Sequence, residues 1–164
     1  MGNAQLSTTP KLVLKRVFNA KRERVFDAWS KPELMMQWLV PQVGWTCRTR
    51  NDFRVGGHYY HEMIVGETAD APPERKSCGG ETFRVGDVYM HEGEYLEIVP
   101  PEKLVFTWSS HAVKNSRVTI ELLDLGESTE LWLTHELLDT EELRNSHQDG
   151  WLGCMAKLEQ FLAA

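Results

Sequence analysis

His147-Gln148-Asp149-Gly150-Trp151-Leu152-Gly153-Cys154-Met155-Ala156-Lys157-Leu158-Glu159-Gln160-Phe161-Leu162 is the stretch whose period decides the fold. Leu143, Trp151, Met155, Leu158 and Leu162 recur at helical spacing, with Cys154 and Phe161 beside them. Upstream, Lys103 to Leu138 alternates with the two-residue period of strands. One amphipathic helix after a run of antiparallel strands makes a sheet that grips a helix, and such a layout tends to leave a cavity between the two. Gly150 and Gly153 interrupt the helix at a cost of ~1 kcal/mol each relative to alanine. They make sense if something comes close to the helix there.

Working outward, Lys11 to Phe18 reads as a strand, and Asn19 is positioned to cap a helix that carries Val25, Phe26 and Trp29 on one stripe. Ser30 and Glu33 have capping-box spacing, which predicts a second short helix over Lys31–Trp38 with Leu34, Met35 and Trp38 inward. Strands are expected over Trp45–Asn51, His58–Val65, Thr82–Val99 (with a bulge near Gly86 or Gly93), Lys103–Ser109, Ser116–Leu125 and Thr129–Leu138. Gly66 to Gly80 reads as a long loop, and Asp139 or Thr140 as the cap of the last helix. Strands without helices between them exclude a doubly wound parallel sheet. The class is α+β: a curved antiparallel sheet of about six to seven strands around a long C-terminal helix, with two short helices after the first strand.

A length of 164 residues fits one domain, read as residues 11–164 behind a disordered segment, residues 1–10. With 24 acidic against 18 basic residues the net charge is −6, and the basic residues are scattered, which argues against nucleic acid and acidic membrane surfaces as partners. Cys47, Cys78 and Cys154 are odd in number and widely spaced, so neither a disulfide framework nor a zinc knot is expected. Reduced thiols, the absence of a secretory signal pattern in residues 1–10 and the absence of an apolar run of membrane-spanning length read together as cytoplasmic.

Particular residues carry a resemblance. They are Val25-Phe26-Asp27-Ala28-Trp29, Trp38 with Pro41, Asp52-Phe53-Arg54-Val55-Gly56-Gly57, Gly93-Glu94-Tyr95-Leu96-Glu97-Ile98-Val99-Pro100-Pro101-Glu102-Lys103-Leu104, Thr134-His135, and His147 with Gly150-Trp151. In this order they resemble the START-like, or SRPBCC, superfamily of helix-grip proteins, in the branch of heat-shock-protein ATPase activator homologues. The resemblance spans about Leu12 to Leu162. It implies an apolar cavity between sheet and last helix, implies no shared catalytic residue, and raises a chaperone ATPase as a candidate partner. The Gly66–Gly80 insertion departs from the branch pattern.

The histidines divide by alternation. His58 and His61 point to opposite faces, His91 lies opposite Glu92 and Glu94, and His135 and His147 are the two expected to look inward. No HExxH, HxH or CxxC occurs, so neither a metal nor any other cofactor is expected. Glu62, Glu92, Glu94, His91 and His147 are the candidates for proton transfer. Ser109 and Ser110 near His111 lack an elbow motif, and Gly56-Gly57 and Gly79-Gly80 read as turns because no helix follows them. Leu104, Phe106 and Trp108 share one face, as do Val118, Ile120 and Leu122, and Leu131, Leu133, His135 and Leu137. The expected ligand-binding lining is Trp38, Tyr60, Phe106, Trp108, Leu122, His147, Trp151 and Met155, with His147 and Tyr60 orienting a polar end of a small hydrophobic or amphipathic molecule. No catalytic residue is assigned. Binding without catalysis leads, ahead of a cyclase- or hydrolase-type enzyme using the same cavity and of a co-chaperone-like interaction module.

Overall fold

The computed structural model describes residues 10–67 and 83–163. All but the last residue of the expected segment 1–10 and most of the Gly66–Gly80 loop lie outside these residues. Alternation becomes pairing along the whole sheet. The strands are β1 (Leu12–Phe18), β2 (Thr46–Asn51), β3 (His58–Ile64), β4 (Val88–Val99), β5 (Lys103–Trp108), β6 (Ser116–Asp124) and β7 (Thr129–Glu136). They form one antiparallel sheet of seven strands in the order β1-β7-β6-β5-β4-β3-β2, bringing the first strand to an edge beside the last. Two short helices, α1 (Arg22–Ser30) and α2 (Pro32–Met35), follow β1, and the long helix α3 (Glu141–Ala163) follows β7. This is the α+β helix-grip architecture.

One face of the sheet supplies the core. Leu104, Phe106 and Trp108 of β5, Val118, Ile120 and Leu122 of β6, and Leu131, Leu133 and His135 of β7 are all buried. Against them α3 buries His147, Trp151, Cys154, Met155, Leu158 and Leu162, while Leu143 and Phe161 are only partly covered. Leu137 breaks the expected alternation. It takes a positive φ of 66°, the strand stops at Glu136, and Leu138 turns inward in its place. The bulge in β4 lies between Tyr95 and Glu97, where the register to β5 shifts. Gly86 is instead in the turn before β4, with φ of 92°.

The caps differ from expectation at two of the three helix N-termini. Lys21, not Asn19, is the N-cap of α1, and Lys31 that of α2, neither with a side-chain hydrogen bond. The Ser30 hydroxyl points back to the Asp27 carbonyl (3.4 Å), so the Ser30–Glu33 box does not form, and regular helix stops at Met35. Trp38 follows in a turn, fully buried, its indole N–H donating to the Ala28 carbonyl at 2.9 Å. Thr140 does cap α3, accepting from Leu143 N at 3.1 Å. The other end of α3 has no basic residue of its own in the last turn. Arg24 of α1 supplies the charge, donating to the carbonyls of Leu162 at 2.5 Å and Phe161 at 3.4 Å.

Gly153 permits the close approach that its place in a helix suggests. A Cβ there would lie 2.0 Å from the Pro41 carbonyl oxygen, so the chain leaving α2 crosses directly over α3. Gly150 is different: its added Cβ meets only the Pro41 ring, at 4.0 Å.

Candidate functional site

The grip between sheet and helix opens at one end. A cavity of about 190 Å³ lies between the first half of α3 and strands β3 to β5. Its walls come from Pro41, Gln42 and Trp45 after α2, Met63, Phe83, Tyr89, His91 and Trp108 from the sheet side, and His147, Gly150, Trp151 and Cys154 from α3. His111 and Asp149, both exposed, carry the lining out to the surface.

Aromatic rings dominate two parts of this lining. Trp45 and Tyr89 lie nearly parallel (12°) with centroids 6.3 Å apart, and Phe83 meets each edge-on, at 4.8 and 5.4 Å. Trp108 and Trp151 form the second group, 5.0 Å apart, with His91 4.7 Å from Trp108. Deeper in, the fold is filled. A void of about 10 Å³, the size of one water, separates Trp108 and Trp151 from Trp29, Tyr59, Tyr95 and Phe106.

The eight expected lining residues therefore separate. Trp108, His147 and Trp151 meet at the cavity. Phe106 borders only the small void beneath it. Trp38, Leu122 and Met155 are buried in the packed core and touch neither space, because side chains fill the inner part of the grip. Tyr60 requires correction: it lies on the opposite face of β3, with the Arg50 guanidinium 4.5 Å above its ring. The inward set is Tyr59, His61 and Met63. Two adjacent tyrosines gave alternation no preference between them. Gly93 on the paired strand decides it, since a Cβ there would come within 2.7 Å of the Tyr59 ring. The Tyr59 hydroxyl donates across the sheet to the Thr107 carbonyl at 2.5 Å.

Burial shifts four imidazoles around the site, His61, His91, His135 and His147, toward the neutral form. His135, fully buried, accepts the Trp151 indole N–H at Nδ1 (3.1 Å) and therefore carries its own proton on Nε2, facing Ser116 Oγ at 2.8 Å. Ser116 passes the chain on, donating to the Trp108 carbonyl at 2.6 Å. A second proton on His135 would confront the Trp151 donor. Burial pushes His135 down to about 3, with His147 adding to the effect. Burial likewise lowers His61 to about 3, helped by His91, and His61 Nδ1 contacts the Thr49 hydroxyl. His91 falls to about 3 for the same reason, with His147 and His111 adding and the Tyr89 backbone opposing. His147 is lowered by burial too, against the Leu143 carbonyl at 2.8 Å from its Nδ1. His61 and His91 were missing from the inward set expected from sequence; the signal was present in the alternation Tyr59-x-His61-x-Met63 and in the pairing that sets His91 opposite His61.

Burial raises the Cys47 thiol to about 12, with Glu62 contributing, and raises Cys154 as well, so both are packed as small apolar groups. Among the described residues no three His, Cys, Asp or Glu side chains are grouped as metal ligands. No helix among them is long and apolar enough to cross a membrane.

Residues 19–163 match the family described as Activator of Hsp90 ATPase homolog 1-like protein. No curated protein matches the sequence. Among solved structures, the protein CV1439 from Chromobacterium violaceum superposes with a TM-score of 0.76 at 25% identity, covering 94% of this chain and 97% of that one. The AHSA1 protein SPO3351 from Silicibacter pomeroyi gives 0.74 at 25% identity, over 94% and 98% of the two chains. The AHSA1-like protein from Aeromonas hydrophila shares the fold at 18% identity, with a TM-score of 0.72 over 94% and 92%.

Proposed function

The chain belongs to the family of Activator of Hsp90 ATPase homolog 1-like proteins, and from that premise we propose that it binds a small, largely apolar molecule without transforming it. The observation that carries this reading is the cavity of about 190 Å³ that persists where the rest of the grip is filled. An apolar protein cavity of ~150 Å³ accepts benzene. The volume here suits one substituted ring, with its polar end toward the His111 and Asp149 rim. Trp108, Trp151, Trp45, Tyr89 and Met63 supply the apolar surface, whose burial is worth ~25 cal/mol per Å². Neutral imidazoles supply polar points without the desolvation penalty of a charge. A binding role fits the neutral, mutually hydrogen-bonded state of His135 better than proton transfer does.

Native mass spectrometry of the protein purified without denaturant, followed by organic extraction, tests the proposal. The expected result is a bound species the size of one substituted ring, on the order of 100–200 daltons by comparison with benzene in a ~150 Å³ cavity, that extraction releases. A single unliganded mass that stays unliganded across a panel of small aromatics would contradict it.

The family description names activation of the Hsp90 ATPase, which motivates a second reading as a partner of such a chaperone. Stimulation of a purified Hsp90-type ATPase by this chain would support it; an unchanged rate at a several-fold excess would remove it.

A further inference from the structure

The cavity beside α3 is lopsided in charge. Among the described residues its lining holds one carboxylate, Asp149, and no lysine or arginine. Burial shifts His91 and His147 toward the neutral form, so neither brings a standing positive charge to the walls. Lys114 lies outside this lining, in a neighbouring groove that it shares with Glu92. The chain as a whole carries a net charge of −6, so its long-range field also draws cations.

The rings add a second, independent preference. An aromatic face is negative, and a cation within about 6 Å of a ring centroid is attracted to it. Trp45, Phe83, Tyr89, Trp108 and Trp151 all line the cavity. The first three form a corner, and Tyr89 reaches the exposed His111, centroids 5.4 Å apart, which puts this corner at the mouth. Phe83 and Tyr89 are only half-buried there. Elsewhere the fold makes such contacts from its own residues: Lys15 stands 5.2 Å from the Trp132 ring and Arg50 4.5 Å from that of Tyr60. An anion entering the cavity would meet a carboxylate and negative ring faces, and a neutral guest would gain from neither. A cation gains from both. Asp149 is exposed, so water weakens its pull and the rings supply the larger share.

We infer that the cavity selects a monovalent organic ammonium ion, whose apolar body packs against Trp108 and Trp151 while its cationic head stays at the mouth among Trp45, Phe83, Tyr89 and Asp149. The inference rests on the binding role proposed above and specifies the charge of the ligand. Body and head meet different residues, so the two can be tested apart.

Three probes of one shape, a benzene ring with a compact tetrahedral head, differ in charge: phenyltrimethylammonium, tert-butylbenzene and benzenesulfonate. Each is titrated at pH 8 and low salt into ¹⁵N-labelled protein and into Asp149→Asn and Tyr89→Leu variants, whose amide spectra report whether they are folded. Shifts at the Trp108 and Trp151 indoles mark binding in the cavity. The cation is expected to bind tightest, at least about tenfold tighter than benzenesulfonate. Asp149→Asn should weaken the cation about threefold and leave tert-butylbenzene unchanged. Tyr89→Leu should weaken the cation more than it weakens tert-butylbenzene. A neutral or anionic probe that binds as tightly as the cation, or a cation preference that both variants leave intact, would overturn the inference and leave the binding role standing. No binding of any of the three probes would overturn both.

Discussion

Two glycines three residues apart on α3 show how little of a residue's role lies in its type. Gly153 is required by contact: a methyl group there meets the Pro41 carbonyl oxygen at 2.0 Å, and that oxygen belongs to backbone. Gly150 has ordinary van der Waals room. Gly153→Ala is expected to destabilise the protein by about 1–3 kcal/mol through overpacking, while Gly150→Ala is expected to stabilise it by up to ~1 kcal/mol through helix propensity. Urea unfolding midpoints check the pair, and an equal effect of the two changes would contradict the contact. The same scale shows what alternation cannot decide. Tyr59 and Tyr60 are chemically alike, and the missing Cβ of Gly93 on the neighbouring strand makes room for the Tyr59 ring inside.

At the scale of elements, the sequence was readable where period and pairing agree. All seven strands fall inside the expected segments, and six match their ends to within a residue or two; β4 begins six residues after Thr82. The period of α3 was visible because one helical stripe is apolar for its whole length. Caps and helix ends were less legible, since they depend on partners distant in sequence. Nothing near Leu162 announces that Arg24, far away in α1, closes the end of α3. Arg24→Ala is expected to fray that last turn, costing about 1 kcal/mol and raising amide exchange at Phe161 and Leu162 while leaving the middle of α3 protected. Unchanged exchange at those amides would show that the guanidinium contributes nothing to the helix end.

At the scale of the whole molecule, the grip formed by the described residues is closed through most of its interior and opens beside the first half of α3. Sequence could place residues on the inner face, but inner-face position does not separate a core residue from a cavity residue. Trp38, Leu122 and Met155 face inward and are simply packed; Trp108, His147 and Trp151 face inward where the packing stops. That distinction depends on how side-chain volumes add up in three dimensions. The interior also gathers neutral imidazoles, and this has a global consequence. His61, His91 and His135 have folded pKa values near 3, below the value of about 6.5 expected in the unfolded chain. Between those limits the unfolded chain holds more protons, so stability must fall as pH falls, by up to about 1.4 kcal/mol per pH unit for each imidazole; above pH 6.5 both states are neutral and the full stability is present. Urea midpoints at pH 7.5 and pH 5 should differ accordingly, and identical midpoints would show that these histidines accept protons freely in the folded state.

The claim on which the functional account depends is that the opening beside Trp108 and Trp151 admits a guest. Titrating ¹⁵N-labelled protein with ethylbenzene, with every tryptophan indole signal assigned, tests this most directly. The account expects saturable shifts at the indoles of Trp45, Trp108 and Trp151 and at the amides of Gly150 and Cys154, with the indole of Trp132, which packs under Lys15 away from the cavity, unmoved. Shifts scattered over the outer face of the sheet, or none at the cavity up to the solubility limit of the probe, would contradict it.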